Sequence, residues 1–198
     1  MDLFDTPGTL VPIPIMDGEL ALLSQLTLPL PNAAILARLL AETPWRAESV
    51  FVYGKRHLQP RLTAWYGDAS YTYSGLRLEP LPWTALLLEL RAAVEAVCGH
   101  RFNSVLLNRY RNERDSMGMH SDDEAELGDN PVIASLSYGT ARTFVLRHKN
   151  NKQTVRLPLE DGSLLLMSGQ LQKHWLHGIN KSTRSLGERV NCTFRYII

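Results

Sequence analysis

The stretch MHSDDEAEL, residues 119–127, sets one histidine against four acids in a 198-residue chain whose formal charge is only +1. His120 and Asp122 offer an imidazole and a carboxylate two residues apart. In an extended strand, residues i and i+2 face the same way, so both side chains can grip one ion. A second imidazole, His177 in HWLHGI (174–179), falls in an expected strand beyond the Gly169 turn. Two imidazoles and one carboxylate on one face leave the opposite coordination positions open, which suits non-haem Fe(II). Zn(II) accepts the same ligand types. A competing reading is a capping box at Ser121-x-x-Glu124, in which His120 merely precedes a short helix. A calcium loop is excluded, because DDEAELGDN lacks alternating oxygen ligands around a central glycine. His174 rivals His177 as the third ligand, on the opposite face of a regular strand.

The last strand, RVNCTFRYI (189–197), alternates sharply. Val190, Cys192, Phe194 and Tyr196 share one face, and Arg189, Asn191, Thr193 and Arg195 share the other. A solvent-facing edge strand would show the same alternation. In LLNRY, Leu106, Asn108 and Tyr110 likewise project together. Guanidinium forks bind carboxylates in bidentate fashion. Arg189 and Arg195 stand ~20 Å apart along a strand, and leaning side chains could hold both ends of a small dicarboxylate. No convincing Ser-His-Asp or Cys-His set occurs.

These groups need a scaffold. NAAILARLLAE (32–42) has helical spacing with Asn32 as N-cap, and PWTALLLELRAAVEAV (82–97) is a second helix between Pro82 and Gly99. After Gly99 the texture changes to short strands over 102–110, 131–139, 142–148, 153–159, 163–169 and 189–198. Helices first and many short strands later predict an α+β domain whose functional half is a β-sandwich or jelly roll. Hydrophobic residues make up 44%, which excludes general disorder. No apolar run spans a membrane, the acidic N-terminus does not read as a signal peptide, and Cys98 and Cys192 read as buried free thiols. A soluble intracellular protein is expected. Residues 1–50 carry six acids and two bases, so the net positive charge lies in the remainder, as a polyanion-binding surface or as scattered solubilising charge.

Taken together, VYGKRHLQPR (52–61), YGDASYTYSGL (66–76), FNSVLLNRYRN (102–112), HSDDE (120–124), PVIASLSYGTARTFVLRHK (131–149), LPLEDGSLLLM (157–167), HWLHGI and RVNCTFRYI resemble the AlkB family of Fe(II)- and 2-oxoglutarate-dependent dioxygenases. The branch most resembled repairs duplex DNA, and the likeness runs from about residue 45 to the C-terminus. It implies one domain over 1–198 with a double-stranded β-helix (jelly-roll) core at 100–198. An N-terminal extension and supporting helix would occupy 1–44, and a nucleotide-recognition lid 45–80. It implies His120, Asp122 and His177 as Fe(II) ligands. Asn108, Tyr110, Arg189 and Arg195 become 2-oxoglutarate contacts, with Asn191 and Thr193 close by.

The activity implied is oxidative dealkylation of bases such as 1-methyladenine and 3-methylcytosine in DNA. O₂ and 2-oxoglutarate would be consumed, and formaldehyde, succinate and CO₂ released. Methylated RNA or protein is the alternative substrate, and a non-enzymatic anion-binding sandwich is the alternative class. The resemblance places Tyr71 and Tyr73 over the base, His120 as a stacking partner, Asp123 at the base edge and Tyr53 in the wedge that fills a vacated stack. Tyr53 and Tyr73 stand where that branch has phenylalanine. Arg142, Arg147, Lys149 and Lys152 are candidates to meet phosphates, or form a plain solvated surface. A monomer is expected, in the cytoplasm, or in the nucleus if the source is eukaryotic.

Overall fold

The computed structural model describes residues 8–52, 55–68, 71–73, 76–78 and 80–198. The chain opens with strands β1 (Val11–Pro12) and β2 (Glu19–Leu23) and helix α1 (Asn32–Glu42). An antiparallel pair follows, β3 (Ser49–Val52) with β4 (Lys55–Leu58), then strand β5 (Leu62–Gly67). A second pair is β6 (Tyr71–Tyr73) with β7 (Leu76–Leu78), and helix α2 (Ala85–Cys98) comes next. Beyond it lie β8 (Ser104–Tyr110), β9 (Met117–His120), a 3-10 turn at Ala125–Leu127, β10 (Ile133–Gly139) and β11 (Arg142–His148). The chain finishes with β12 (Thr154–Leu159), β13 (Leu164–Ser168), the short helix α3 (Leu171–His174), β14 (Trp175–Ile179) and β15 (Arg189–Arg195).

Two antiparallel sheets form the jelly-roll core. The larger has the order β1-β2-β13-β10-β15-β8-β5, and the smaller β12-β11-β14-β9. Helices α1 and α2 cover the outer face of the larger sheet. Ile35, Leu39, Leu86, Leu87, Leu90 and Val94 meet Val105, Leu107, Leu136, Val190, Cys192 and Phe194 there. A second apolar cluster fills the space between the sheets, with Tyr110, Ile133, Leu165 and Met167 from one and Phe144, Leu146, Leu159 and Ile179 from the other. Each fully buried Leu or Val contributes roughly 1.5–3 kcal/mol. This layering settles the alternation in β15. Its apolar face lies under the helices and its polar face points between the sheets, where Arg189, Asn191, Thr193 and Arg195 are all buried. The strand is internal, flanked by β10 and β8, and is not a solvent-facing edge.

Local signals explain the helix ends. The Thr84 side chain accepts from Leu87 N–H at 3.2 Å, and Gly99, at φ +69°, closes α2 in a left-handed cap. Pro82 therefore precedes the cap and lies outside the helix. Asn32 is the first residue of α1 and makes no cap. Pro31 holds the cap position, and the Asn32 amide donates to Asp161 at 3.2 Å.

Three strands of the larger sheet come from outside the expected set. β1 and β2 add the N-terminal segment to its edge through β13, and β5 pairs with β8 at the other edge. Cys98 and Cys192 are both free, half-buried and buried respectively. Among the described residues, no helix is long and apolar enough to cross a membrane.

Candidate metal and cosubstrate site

Strand β9 ends at His120, which lies directly across from His177 on β14. Their ring centroids are 4.4 Å apart. Asp122 follows two residues later. His120 Nε2 lies 3.5 Å from Asp122 Oδ1, and His177 Nε2 lies 3.9 Å from Oδ2. One ligand atom from each of the three residues falls within 4.8 Å of the others. Phe144 stacks on the His177 ring at 5.3 Å, closing it off from solvent.

The hydrogen bonds test whether this trio fits a metal. His120 Nδ1 lies 2.9 Å from the Gly118 carbonyl, which can only accept, so Nδ1 carries the proton. Nε2 is then a bare lone pair facing a carboxylate oxygen, with no hydrogen-bond partner. Two electron-rich groups aimed at each other in a buried site are stabilised by a cation between them. Burial, reinforced by neighbouring His120, pushes His177 down to about 3, so it stays a neutral ligand near pH 7. Burial alone would raise the Asp122 carboxyl. The Arg195 guanidinium outweighs it, with help from the neighbouring imidazoles, and holds the group well below the usual carboxylate range. The residues present fit a divalent metal of the Fe(II) or Zn(II) type.

A second histidine–acid cluster, Asp17, His148 and His174, passes the same distance criterion but not the hydrogen-bond test. His148 Nδ1 accepts from the backbone N–H groups of Asn150 and Asn151, so Nε2 carries the proton and donates to Asp17 at 3.1 Å. His148 has no lone pair left for a metal. His174 belongs to α3, not to the strand carrying His177, and sits 6.0 Å from His148 in a stacked arrangement.

Beside the trio a pocket opens between the sheets, lined by Tyr110, Met117, Ser135, Phe144, Met167, Ile179, Arg189, Asn191, Thr193 and Arg195. Arg189 is buried. One of its nitrogens, Nη2, donates to Ser137 Oγ at 2.9 Å, while Nε and Nη1 have no hydrogen-bond partner. Burial lowers its pKa, opposed mainly by Tyr110. A buried guanidinium with two N–H groups left over has the donors and the charge that suit a carboxylate. Tyr110 lies between two guanidiniums, 5.1 Å from Arg189 and 5.3 Å from Arg142.

The other expected site residues are placed as follows. Arg195 lines the pocket, and its Nη2 lies 2.9 Å from both Asp122 oxygens, so it also grips the carboxylate of the trio. Asn191 donates to Ser135 Oγ at 2.7 Å, and Thr193 donates to Asn191 Oδ1 at 2.8 Å. Asn108 pairs with Asn191 across β8 and β15 but is absent from the pocket wall, and its Oδ1 accepts from buried Arg61 at 2.7 Å. Asp123 is exposed, with Lys149 Nζ 3.8 Å from its Oδ2. Tyr71 and Tyr73 lie on β6. Tyr53 lies outside the described residues.

Two expectations are corrected. Arg142 is no phosphate contact. It is buried and donates to the carbonyls of Asn112, Asp115 and Asn180. Ser121 is no helix cap either, since its hydroxyl donates to the Trp175 carbonyl at 3.0 Å. The polar residues Arg61, Ser135, Ser137 and Gln172, which brace the site, escaped the sequence reading, as did the apolar wall. The two serines carry a signal, because they share one face of the apolar strand IASLSYG.

The fold and this site define an oxygenase class, and comparison with known proteins agrees. Residues 20–195 match the family described as the 2OG-Fe(II) oxygenase superfamily. The chain belongs to that superfamily and, within it, to the AlkB family. It is 46% identical over 173 residues to "Alpha-ketoglutarate-dependent dioxygenase alkB homolog 3" of Rattus norvegicus, covering 82% of this chain and 59% of the relative. It is 46% identical over 159 residues to "DNA oxidative demethylase ALKBH2" of Homo sapiens, covering 75% of this chain and 61% of the relative. The chain thus spans about three-fifths of the length of these curated relatives. Among solved structures, OsALKBH1 superposes with a TM-score of 0.66 at 16% identity, covering 94% of this chain and 100% of the other. A 2OG-Fe(II) oxygenase-family oxidoreductase from Burkholderia pseudomallei gives 0.60 at 15% identity, covering 90% and 84%. At these identities the likeness concerns the fold.

Proposed function

We propose that this chain is an Fe(II)- and 2-oxoglutarate-dependent dioxygenase that removes alkyl groups from base nitrogens in DNA, as with 1-methyladenine and 3-methylcytosine. The observation that carries the reading is one buried pocket holding both the His120–Asp122–His177 trio and the unpaired Arg189 guanidinium. The nucleic-acid substrate is supported by the relatives named as demethylases of DNA. With iron, 2-oxoglutarate and O₂ bound, oxidative decarboxylation to succinate and CO₂ supplies one oxygen atom to the N-methyl group, whose carbinol then loses formaldehyde.

The protein's part is to bind, orient and exclude water. His120, Asp122 and His177 would hold the metal. Arg189 takes the distal carboxylate of the keto acid, with Ser137 fixing one arm of its fork. Arg195 keeps the Asp122 carboxylate ionised and oriented. Asn191 and Thr193 line the pocket between them, while Arg61 ties Asn108 beside them. Phe144, Met117, Met167 and Ile179 make the remaining wall apolar, which strengthens each charge contact inside. Residues 45–80 serve as the nucleotide-recognition lid in this reading, with Tyr53, Tyr71, Tyr73 and Asp123 against the base. The chain acts as a monomer, in the cytoplasm or, in a eukaryote, in the nucleus.

The test is CO₂ release from 2-oxoglutarate by the iron-loaded protein, with and without an oligonucleotide bearing 1-methyladenine. Stimulation by the methylated strand and none by the unmethylated strand is expected. Equal release with both would remove the DNA substrate. Stimulation by methylated RNA alone would move the substrate class.

A further inference from the structure

Strand β9 ends at His120, so Asp122 lies beyond the sheet's hydrogen-bond ladder. Its backbone N–H is nevertheless buried and paired, and the partner is a side chain. Gln172 Oε1, on α3, accepts it at 3.0 Å. The orientation of the amide follows from chemistry, because a backbone N–H requires an acceptor. Gln172 Nε2 then faces the Met167 sulfur at 3.8 Å. Gln172 is 2% exposed and is held in place in turn, since its own carbonyl accepts from Lys149 Nζ at 3.0 Å. One residue before Asp122, the Ser121 hydroxyl donates to the Trp175 carbonyl at 3.0 Å. The segment 172–175 thus clamps 121–122 twice and runs directly into β14, which carries His177.

From this geometry we propose that Gln172 is a positioning residue for the metal centre: its side-chain oxygen sets the backbone of Asp122, so that the carboxylate meets His120 and His177. The inference rests on the reading of the trio as a metal site. Arg195 fixes the carboxylate end of Asp122 and Gln172 fixes the backbone end, which leaves the side chain little freedom between two anchors. Groups that orient a ligand without touching the metal typically change metal affinity by about 10- to 100-fold when lost. Gln172 also joins two segments 50 residues apart in the chain, one carrying Asp122 and the other leading to His177.

The experiment is Co(II) titration of the metal-stripped full chain, followed by visible absorption and calorimetry. The variants are Asp122→Ala, Gln172→Met, Gln172→Asn and Gln172→Glu, each with a thermal melt of the stripped protein. Methionine has similar length and no carbonyl, asparagine falls a methylene short, and glutamate retains an oxygen that can accept the N–H. The Met and Asn variants should bind Co(II) about tenfold more weakly, and the Glu variant should recover to within about threefold of wild type. If the Met variant does not fold, the Asn and Glu variants carry the comparison. Met and Asn variants that bind like the wild type, while Asp122→Ala loses Co(II), would overturn the positioning role. Equal losses in all three Gln172 variants would mark a packing role and overturn it too. Co(II) binding that survives Asp122→Ala would instead sink the metal reading itself.

Discussion

At the scale of single residues, Arg189 and His177 carry the sharpest consequences. In the proposed function, Arg189→Gln removes the guanidinium assigned to the distal carboxylate. The KM for 2-oxoglutarate should rise about 10- to 100-fold, the worth of a charged hydrogen bond, while Co(II) affinity stays unchanged. Succinate formation against 2-oxoglutarate concentration checks this. His177 gives a pH signature in the stripped protein. Its pKa falls from 6.5 in a free chain to about 3 in the fold. Because the folded value is the lower one, the unfolded chain takes up the proton first. This contribution is intact above pH 6.5 and is lost as pH falls toward 3, at about 1.4 kcal/mol per unit. Urea titrations between pH 7.5 and 4.5 should show that slope in the wild type and a shallower one in His177→Gln. Much of the site was legible residue by residue, because strict alternation in 189–195 groups its four polar side chains on one face. Partners were not legible. Nothing in the spacing says that Arg195 grips Asp122, or that Gln172 meets a backbone 50 residues away.

At the scale of elements, the pairing of β9 with β14 decides whether the two histidines meet. The register shifts between His177 and Ile179, and Gly178 occupies the irregularity. A Cβ there would lie 2.7 Å from the Met117 carbonyl oxygen and 3.0 Å from that of Gly118, both backbone atoms. Gly178→Ala must therefore push the strands apart. We expect about 1–3 kcal/mol of destabilisation and a clear loss of Co(II) binding, measured by melting and metal titration. The strands after residue 130 were readable from alternation and turns, as was β8, but in the larger sheet β1, β2 and β5 were not. Pro12 and Pro14 interrupt the N-terminal segment, and prolines weaken a strand reading except at an edge, which is where β1 lies. The capping-box motif failed for a tertiary reason. The Trp175 carbonyl offers the Ser121 hydroxyl a partner that no local window contains.

At the scale of the whole molecule, the excess of bases after residue 50 has two fates. Arg142 is consumed inside the fold, tying the segments around Asp115 and Asn180 to β11. Arg147, Lys149 and Lys152 remain exposed around a shallow cleft with Thr154 and Leu176. A DNA backbone there would be held by charge. The Arg147→Ser/Lys152→Ser double variant should weaken single-stranded DNA binding and lower the slope of log K against log salt by about 2. Turnover at saturating DNA should be unaffected. Fluorescence anisotropy across salt concentrations measures both effects. Charge counting alone could not separate these fates, because burial is set by the sheet packing and not by composition. The most direct test of the central claim is formaldehyde release from matched single- and double-stranded oligonucleotides carrying 1-methyladenine. The iron-loaded wild type would be compared with Asp122→Ala. The account predicts formaldehyde and succinate in equal amounts from the wild type and neither from the variant. Iron-loaded wild type that yields no formaldehyde from either strand form would contradict it.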